Sequence, residues 1–431
     1  MNNAKAITFG IQHLLAMYAG AILVPLIIGD ALGFNAEQMT YLVAIDILMC
    51  GVATLLQVYS GKFIGIGLPV VLGCTFTALT PIIVIGTTQS IGAIYGSIIV
   101  SGIIVVLIAG FFGKLVKFFP PVVTGSVVTI IGISLLPTAI TNFGGGDATA
   151  ETFGSSTNLI LGFAALVTII VVYRFTQGFM RAIAILLGIV VGTVLGIFMG
   201  VVNFQPVKDA DWLHMVQPFY FGKPEFHVEA IITMTLVAIV SLVESTGVYH
   251  ALSDITKKPL TSKNLAKGYR SEGVASIIGG ILNAFPYTTY SQNVGLVQIT
   301  GVKERKVIVI TGVMLVILGF LPKAAALTQI IPTPVLGAAM IAMFGIVITQ
   351  GMKMLAPEIM KSMENALIVA CAVGLGVGVS VVPSVFQALP ETLSILFSNG
   401  IVTGAFVAIV LNVVFNMFGV KAGNAPVAEN K

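Results

Sequence analysis

Four ionisable side chains lie within long apolar segments of the sequence. Asp46, Glu244 and Glu272 are carboxylates at or near the depth of such segments, and His13 is the one histidine well inside a segment. A charged group in hydrocarbon costs about 2.5–3.5 kcal/mol on insertion scales, so it normally faces a cavity or a partner. These four residues are therefore candidates for binding or proton-transfer chemistry.

Glu244 has the strongest local setting of the four. It lies in the middle of the apolar segment 229–250, and the small residues Ser245, Thr246 and Gly247 follow it. A carboxylate accepts hydrogen bonds on two oxygens, which suits the N–H edge of a flat heterocycle. The alternative interpretation is a hydrogen bond between two helices.

For each of the other three residues, a purely structural role is a real alternative to a functional one. Glu272 stands at the predicted start of a segment near 269, where Lys267 or Arg270 could pair with it. Asp46 is either a proton relay or a structural hydrogen-bond acceptor. His13 could carry a proton near neutral pH, or it could be a core histidine that joins two helices.

A break in a later apolar segment supplies amides. Ser291-Gln292-Asn293-Val294-Gly295 interrupts the segment with polar and small residues. An amide offers one acceptor and two donors in a plane. Glu244 and Gln292, facing one cavity, would clamp a planar molecule with alternating N–H and C=O groups, and Phe76 could stack on its face. We expect the break to hold the substrate.

The elements that must position these residues are membrane-spanning helices. Of the 431 residues, 57% are hydrophobic and only 9% are charged, whereas a soluble domain is about 25% charged. Apolar runs of roughly 20 residues recur along the chain, which is the length that crosses the hydrocarbon. We interpret the first run, 7–28, as a retained span rather than a signal peptide. The cysteines have no metal-ligand spacing, and the basic residues form no nucleic-acid patch.

The basic residues support fourteen spans. With the N-terminus in the cytoplasm and alternating sides, eighteen of the 21 lysines and arginines fall inside, and only Lys208, Lys223 and Lys323 fall outside. The positive-inside rule predicts this bias. We therefore predict an all-α polytopic protein with both termini in the cytoplasm.

The third and tenth spans, near 67–85 and 285–300, resemble each other. Phe76 and Asn293 lie at the same distance after Pro69 and Pro286, in stretches rich in small and hydroxyl residues. Fourteen spans divide seven and seven, and an odd number per half makes the halves inverted. Interrupted segments that meet at mid-membrane are typical of such inverted repeats. We predict two short antiparallel strands at the breaks, because they would satisfy each other's backbone groups. Two ordinary proline-kinked helices are the alternative.

The sequence from Ser291 to Gly301, SQNVGLVQITG, resembles the signature motif of the nucleobase–ascorbate transporter family. Gln292, Asn293, Gly295 and Thr300 meet its pattern, and IQHLLAMYAGAILVP, VESTG and YRSEG also resemble that family. The resemblance runs from about residue 8 to 420, and within the family it is nearest to bacterial xanthine/urate permeases.

The resemblance implies a fold and a function. It implies a core domain from spans 1–4 and 8–11 (7–112 and 229–326) and a gate domain from spans 5–7 and 12–14 (119–202 and 330–417). An outside loop, 203–228, and a cytoplasmic tail, 418–431, complete the chain. It also implies proton-coupled nucleobase uptake at the cell membrane, often as a homodimer, without a metal or other cofactor.

The resemblance also assigns residues. It places the substrate between Glu244, Gln292, Asn293 and Phe76, with backbone contacts at Gly20 and Ser291. The expected mechanism adds a proton-coupling network that includes Glu272 and His13, with Asp46 as a further candidate.

Two departures from the family's uracil permeases favour a purine. Those permeases carry glutamate at the position of Gln292 and histidine at the position of Val248. Glu272 stands where xanthine permeases commonly have aspartate, so its role depends on a longer side chain. An anion transporter of the same fold is an alternative, although it would present a basic or dipole-only site. An intramembrane enzyme is disfavoured, because no HExxH, paired-carboxylate or membrane-depth GxGD motif is present.

Overall fold

The computed structural model describes residues 2–115, 119–390, 393–394 and 397–417. The predicted tail, 418–431, lies outside the described residues. The described part is mostly helical, and nine of its helices are long and apolar enough to cross a membrane, or ten if one bent pair is a single span. The prediction of a mostly helical polytopic membrane protein is therefore confirmed.

In the first part of the chain, the described residues form nine α-helices and one strand. In order they are α1 (Asn3–Ala31), α2 (Ala36–Val58), β1 (Leu72–Cys74), α3 (Leu79–Thr88), α4 (Ile91–Leu115), α5 (Pro121–Gly144), α6 (Ser156–Phe175), α7 (Gly178–Ala182), α8 (Ala184–Phe198) and α9 (Gln205–Asp209). A 3₁₀ turn, Phe76–Ala78, joins β1 to α3.

In the second part, eight α-helices and one strand have bounds within the described residues. In order they are α10 (Val228–Thr256), α11 (Ser262–Ile281), β2 (Tyr287–Thr289), α12 (Ser291–Thr300), α13 (Arg305–Gly319), α14 (Pro322–Ala326), α15 (Thr333–Lys361), α16 (Met363–Val381) and α17 (Gly400–Asn412). The axis bends by 88° between α13 and the segment Pro322–Ile330.

Side-chain caps set two helix starts that matter for the site. Asn35 and Gln38 form a reciprocal capping box before α2, which satisfies N–H groups that the first turn leaves free. The Thr261 hydroxyl accepts a hydrogen bond from the Asn264 N–H at 3.2 Å, so α11 begins at Ser262. The prediction that puts Glu272 at the start of this segment is therefore wrong. The apolar pattern marks only part of a helix whose first turns are polar.

Close glycine contacts hold two helix pairs together. A Cβ atom at Gly102 of α4 would lie 2.8 Å from the Gly273 carbonyl oxygen of α11. A Cβ atom at Gly51 of α2 would lie 2.6 Å from the Gly312 carbonyl oxygen of α13. Only glycine permits these distances, which is the usual way that membrane helices approach closely. In the second set of helices, α5 packs on α15 and α17, and α6 packs on α8.

The connection 203–227 packs on the ends of α2 and α14. The Tyr41 hydroxyl donates a hydrogen bond to the Gln217 carbonyl oxygen at 2.8 Å, and the Tyr41 and Tyr220 rings stack with centroids 3.9 Å apart. The Lys323 ammonium donates to the Val207 carbonyl oxygen at 2.9 Å. This connection is therefore attached to α2, which carries Asp46, and to α14.

Candidate functional site

Two broken elements meet at the centre of the bundle. Strands β1 and β2 pair antiparallel, with Leu72 opposite Thr289 and Cys74 opposite Tyr287. The Thr75 N–H donates to the Pro286 carbonyl oxygen at 3.0 Å, which extends the ladder. Both strands are fully buried, so each satisfies backbone groups that hydrocarbon would leave unpaired.

The tyrosine between β2 and α12 locks this arrangement. The Tyr290 hydroxyl donates to the Cys74 carbonyl oxygen at 3.1 Å. A Cβ atom at Gly73 would lie 2.4 Å from Tyr290 Cζ, and one at Gly20 would lie 3.1 Å from Tyr290 Cε2. The ring therefore fills the space that two glycines leave open, and it joins α1 to both breaks.

Helix α12 begins at Ser291 without a side-chain cap. The first N–H groups of a helix have no partner within it, and its N-terminus carries partial positive charge. Gln292 is half-buried and makes no hydrogen bond with any described residue. The start of α12 thus offers backbone donors and a free amide to a ligand.

A cavity of about 440 Å³ lies in front of this helix start. Its walls include Gly20 of α1, Ser291 and Gln292 of α12, and Met343 of α15. Three of the predicted binding residues therefore line one cavity, between α1 and α12 on one side and α6–α8 and α15 on the other. Glu244, Phe76 and Asn293 are not among its lining residues.

Asn293 faces away from the cavity and joins α12 to α1. Its amide Nδ2 lies 3.0 Å from the Nδ1 atom of His13 and donates to the His13 carbonyl oxygen at 3.0 Å. Both residues are 1% exposed. His13 thus makes the helix-joining contact that the sequence left open as an alternative. The Asn293 Oδ1 atom is buried and has no partner among the described residues.

Glu244 is half-buried near the middle of α10. No described residue hydrogen-bonds to its carboxylate, so the alternative of a helix–helix hydrogen bond is wrong for the part of the chain that the structure describes. The next residue, Ser245, contacts β2, because its Oγ accepts from the Thr289 N–H at 3.3 Å. Glu244 therefore lies next to the break with an unused pair of acceptors.

Glu272 is 2% exposed and hydrogen-bonded on both oxygens. The Ser245 hydroxyl donates to its Oε2 at 3.0 Å, and the Tyr249 hydroxyl donates to its Oε1. The Gln57 amide donates in turn to the Tyr249 hydroxyl. The alternative of an ion pair with Lys267 or Arg270 is wrong, because Glu272 lies inside the bundle.

Asp46 is fully buried in α2 and contacts the same break, at β2. The Tyr287 hydroxyl of β2 donates to its Oδ1 at 2.9 Å. The Cys50 thiol lies 3.8 Å from its Oδ2, a weak contact. Asp46 therefore anchors β2 against α2, which is the structural alternative, and its place beside the break also leaves the relay alternative open.

Phe76 lies at the first turn after β1. Its ring packs edge-on against Phe344 of α15, with centroids 5.7 Å apart. This contact joins the helices that carry the breaks to α15, on the far side of the cavity.

Sequence reasoning missed several residues of this site. Four polar residues in apolar segments make hydrogen bonds around the site: Gln57, Tyr249, Tyr287 and Tyr290. That polarity is a usable signal, but it does not name a partner. Gln57 lies 192 positions before Tyr249 in the sequence, so only the fold brings the two together.

The comparisons with known proteins place the chain in a family. Residues 4–385 match the model of a family described as the Permease family. The "Xanthine permease" of Bacillus subtilis (strain 168) is 61% identical over 414 residues, which cover 96% of this chain and 94% of the relative. The chain belongs to this permease family.

A second relative of the permease bears a related name. "Uric acid permease PucK" of Bacillus subtilis (strain 168) is 58% identical over 414 residues, and the match covers 96% of each chain. The transmembrane domain of a cyanobacterium bicarbonate transporter, BicA, superposes with a TM-score of 0.65 at 16% identity, covering 89% of the permease and 97% of that chain. This likeness shows a shared fold. Membership of the permease family and the names of its close relatives indicate a transporter rather than an enzyme.

Proposed function

We propose that this permease imports a purine nucleobase, with xanthine first and urate second, across the cell membrane by proton symport. The observation that carries the proposal is the uncapped start of α12, where Gln292 and Ser291 face a cavity together with Gly20. The names of its relatives support the substrate class. Uracil permeases of the family carry glutamate at the position of Gln292 and histidine at the position of Val248. The glutamine and the valine found here favour a purine over uracil.

The base binds edge-on between Glu244 and Gln292. The carboxylate accepts from two ring N–H groups, while the amide pairs with a neighbouring carbonyl and N–H. Phe76 packs on the ring face, and the backbone at Ser291 and Gly20 completes the contact. Separation of Phe76 from Phe344 opens the path from the described cavity to Glu244.

Asn293 supports this arrangement from behind. Its two bonds to His13 fix the orientation of α12 against α1. A change in the protonation of His13 would alter one of these bonds, because Nδ1 then becomes a donor. This is how His13 can take part in proton coupling.

Glu272 is the proposed proton carrier. Ser245 hydrogen-bonds to Glu272 and lies one position after Glu244, so the two carboxylates are linked through one residue. Protonation of Glu272 changes the acceptor that holds the Ser245 hydroxyl proton, and with it the contacts of Ser245 with β2, where its Oγ accepts from the Thr289 hydroxyl and lies 3.1 Å from the Thr288 hydroxyl. Asp46 contacts the same strand through Tyr287 and is the third member of the network.

The proposed architecture has fourteen segments in a 7+7 inverted repeat. Nine long apolar helices of the described residues are joined by four shorter or broken elements, β1–α3, α7–α8, β2–α12 and α13–α14, and by α11, a 20-residue helix with polar first turns. An inverted repeat makes segments 2 and 9, and segments 4 and 11, equivalent. Gly51 against Gly312 and Gly102 against Gly273 are then the same contact made twice.

The proposed domains follow from this division. The core comprises 7–112 and 229–326, and the gate comprises 119–202 and 330–417. The termini lie in the cytoplasm, the loop 203–228 lies outside, and two copies associate through their gates. Movement of the loaded core against the gate gives alternating access.

Uptake measurements test the proposal. In a strain without its own purine permeases, wild-type protein should accumulate labelled xanthine, and a protonophore should abolish the accumulation. Glu244→Ala and Gln292→Ala should each reduce uptake to near background at equal membrane abundance. Full-rate uptake by both variants would refute the site. Competition by urate, guanine, hypoxanthine and uracil ranks the substrates, and preference for an inorganic anion would indicate the alternative transporter class.

A further inference from the structure

The described cavity extends well beyond the start of α12. Its lining runs from Ser291 to Ile299 along that helix, a distance of about 12 Å at 1.5 Å per residue. At the far end the wall is formed by the α6–α7 connection, with Tyr173, Gly178 and Arg181. Under the proposed orientation this end faces the cytoplasm.

Arg181 is the one charged side chain among the described residues that line this cavity. Its guanidinium carbon lies 3.9 Å from the centroid of the Tyr173 ring. Arginine stacks on an aromatic face while its planar N–H groups stay free to bind an anion in a bidentate manner. The amide of Gln350, on α15, is a further polar group of the lining.

The substrates of the proposed function differ in charge. Urate is a monoanion at neutral pH, whereas xanthine changes from neutral to monoanionic across mildly alkaline pH. A deprotonated ring nitrogen beside a carbonyl oxygen presents two acceptors in one plane, which matches the fork of an arginine. At the α12 start, Ser291 and Gln292 are neutral, and the helix N-terminus supplies only a partial positive charge without such a fork.

We propose that Arg181, held by Tyr173 and assisted by Gln350, forms a second binding site at the cytoplasmic mouth for the anionic form of an oxidised purine. This site rests on the proposed function. It receives the base after release from the α12 start, and it gives the cytoplasmic face a preference for the anion. Affinity at the outer face does not depend on it.

Xanthine exchange from the cytoplasmic face tests the site, because pH alone changes the charge of this substrate. We would measure the KM for labelled xanthine in inside-out membrane vesicles, with equal pH on both sides, at pH 6 and at pH 8.5. Arg181→Gln should leave the KM unchanged relative to wild type at pH 6. At pH 8.5 it should raise the KM about 3- to 5-fold, the size of one exposed charge contact. Arg181→Lys, which keeps the charge without the fork, should give a smaller increase.

Arg174→Gln is the matched control. Arg174 is also exposed and lies near the ring of Phe175 at 5.7 Å, but it does not line the cavity. It should behave as wild type at both pH values. Equal KM values for Arg181→Gln and Arg174→Gln at pH 8.5, with active wild-type protein, would overturn the second site alone. Absence of xanthine exchange by the wild type would instead overturn the proposed function, and this site with it.

Discussion

Glutamine substitution at Glu244 and at Glu272 should separate substrate binding from stability. Glu244 has no hydrogen-bond partner among the described residues, whereas Glu272 accepts hydrogen bonds from Ser245 and Tyr249. Glu244→Gln should therefore weaken transport and leave the fold unchanged. Glu272→Gln should destabilise the fold, because two donors then compete for one remaining acceptor.

The size of each effect follows from these contacts. A hydrogen bond to a charged group is worth about 1.5–3 kcal/mol and a neutral one about 0.5–1.5 kcal/mol. Glu244→Gln replaces two charged hydrogen bonds to the base with neutral ones. The binding free energy should therefore fall by about 2–3 kcal/mol, which raises the KM roughly 30- to 140-fold. For Glu272→Gln, one unsatisfied buried donor costs about 1–3 kcal/mol of stability.

Two assays distinguish the substitutions. Uptake of labelled xanthine over a range of concentrations gives the KM, and thermal aggregation in detergent, at equal protein concentration, ranks stability. Glu272→Gln should also lose accumulation driven by a pH gradient while it retains exchange of labelled for unlabelled base. The reasoning fails if Glu244→Gln lowers thermal stability as much as Glu272→Gln does, or if its KM matches that of the wild type.

Two further predictions concern the broken elements. Gly73→Ala should reduce xanthine uptake at least about tenfold, because its Cβ would lie 2.4 Å from Tyr290 Cζ and an overpacked core costs about 1–3 kcal/mol; Gly374→Ala, whose Cβ would meet nothing within 4 Å, should keep wild-type uptake. Tyr287→Phe should lower thermal stability in detergent by removing the donor to Asp46, a loss of about 1.5–3 kcal/mol. Combining it with Asp46→Asn should cost less than the sum of the two single changes, and strict additivity would show that the pair does not interact.

The broad architecture could be predicted from the sequence, because a lipid environment requires long apolar helices. Long apolar segments with few charges have no stable soluble arrangement, so the mostly helical membrane fold follows from composition and segment length. The breaks near Phe76 and Asn293 were also visible, since proline and small polar residues interrupt an otherwise regular pattern. Gln292 was recognisable because its amide lies in a motif.

The hydrogen-bond partners of the buried polar residues could not be predicted in the same way. Glu272 looked like an ion-pair residue beside Lys267 and Arg270, yet its partners Ser245 and Tyr249 come from α10. The apolar pattern placed the start of α11 too late, because the helix continues into polar residues beyond the hydrocarbon. Sequence distance carries no information on such cross-helix contacts.

The sequence by itself thus determined that this is a membrane protein, that it is mostly helical, and which kinds of side chain lie at the breaks in its apolar segments. Those properties depend on local composition and spacing, which the chain carries in linear form. The tertiary structure alone decided that Asn293 binds His13, that Gln292 faces a cavity while Glu244 lies outside its lining, and that Arg181 stands at the cavity's far end. These outcomes depend on how helices that are distant in the sequence pack against one another, and packing of that kind is a property of the whole bundle.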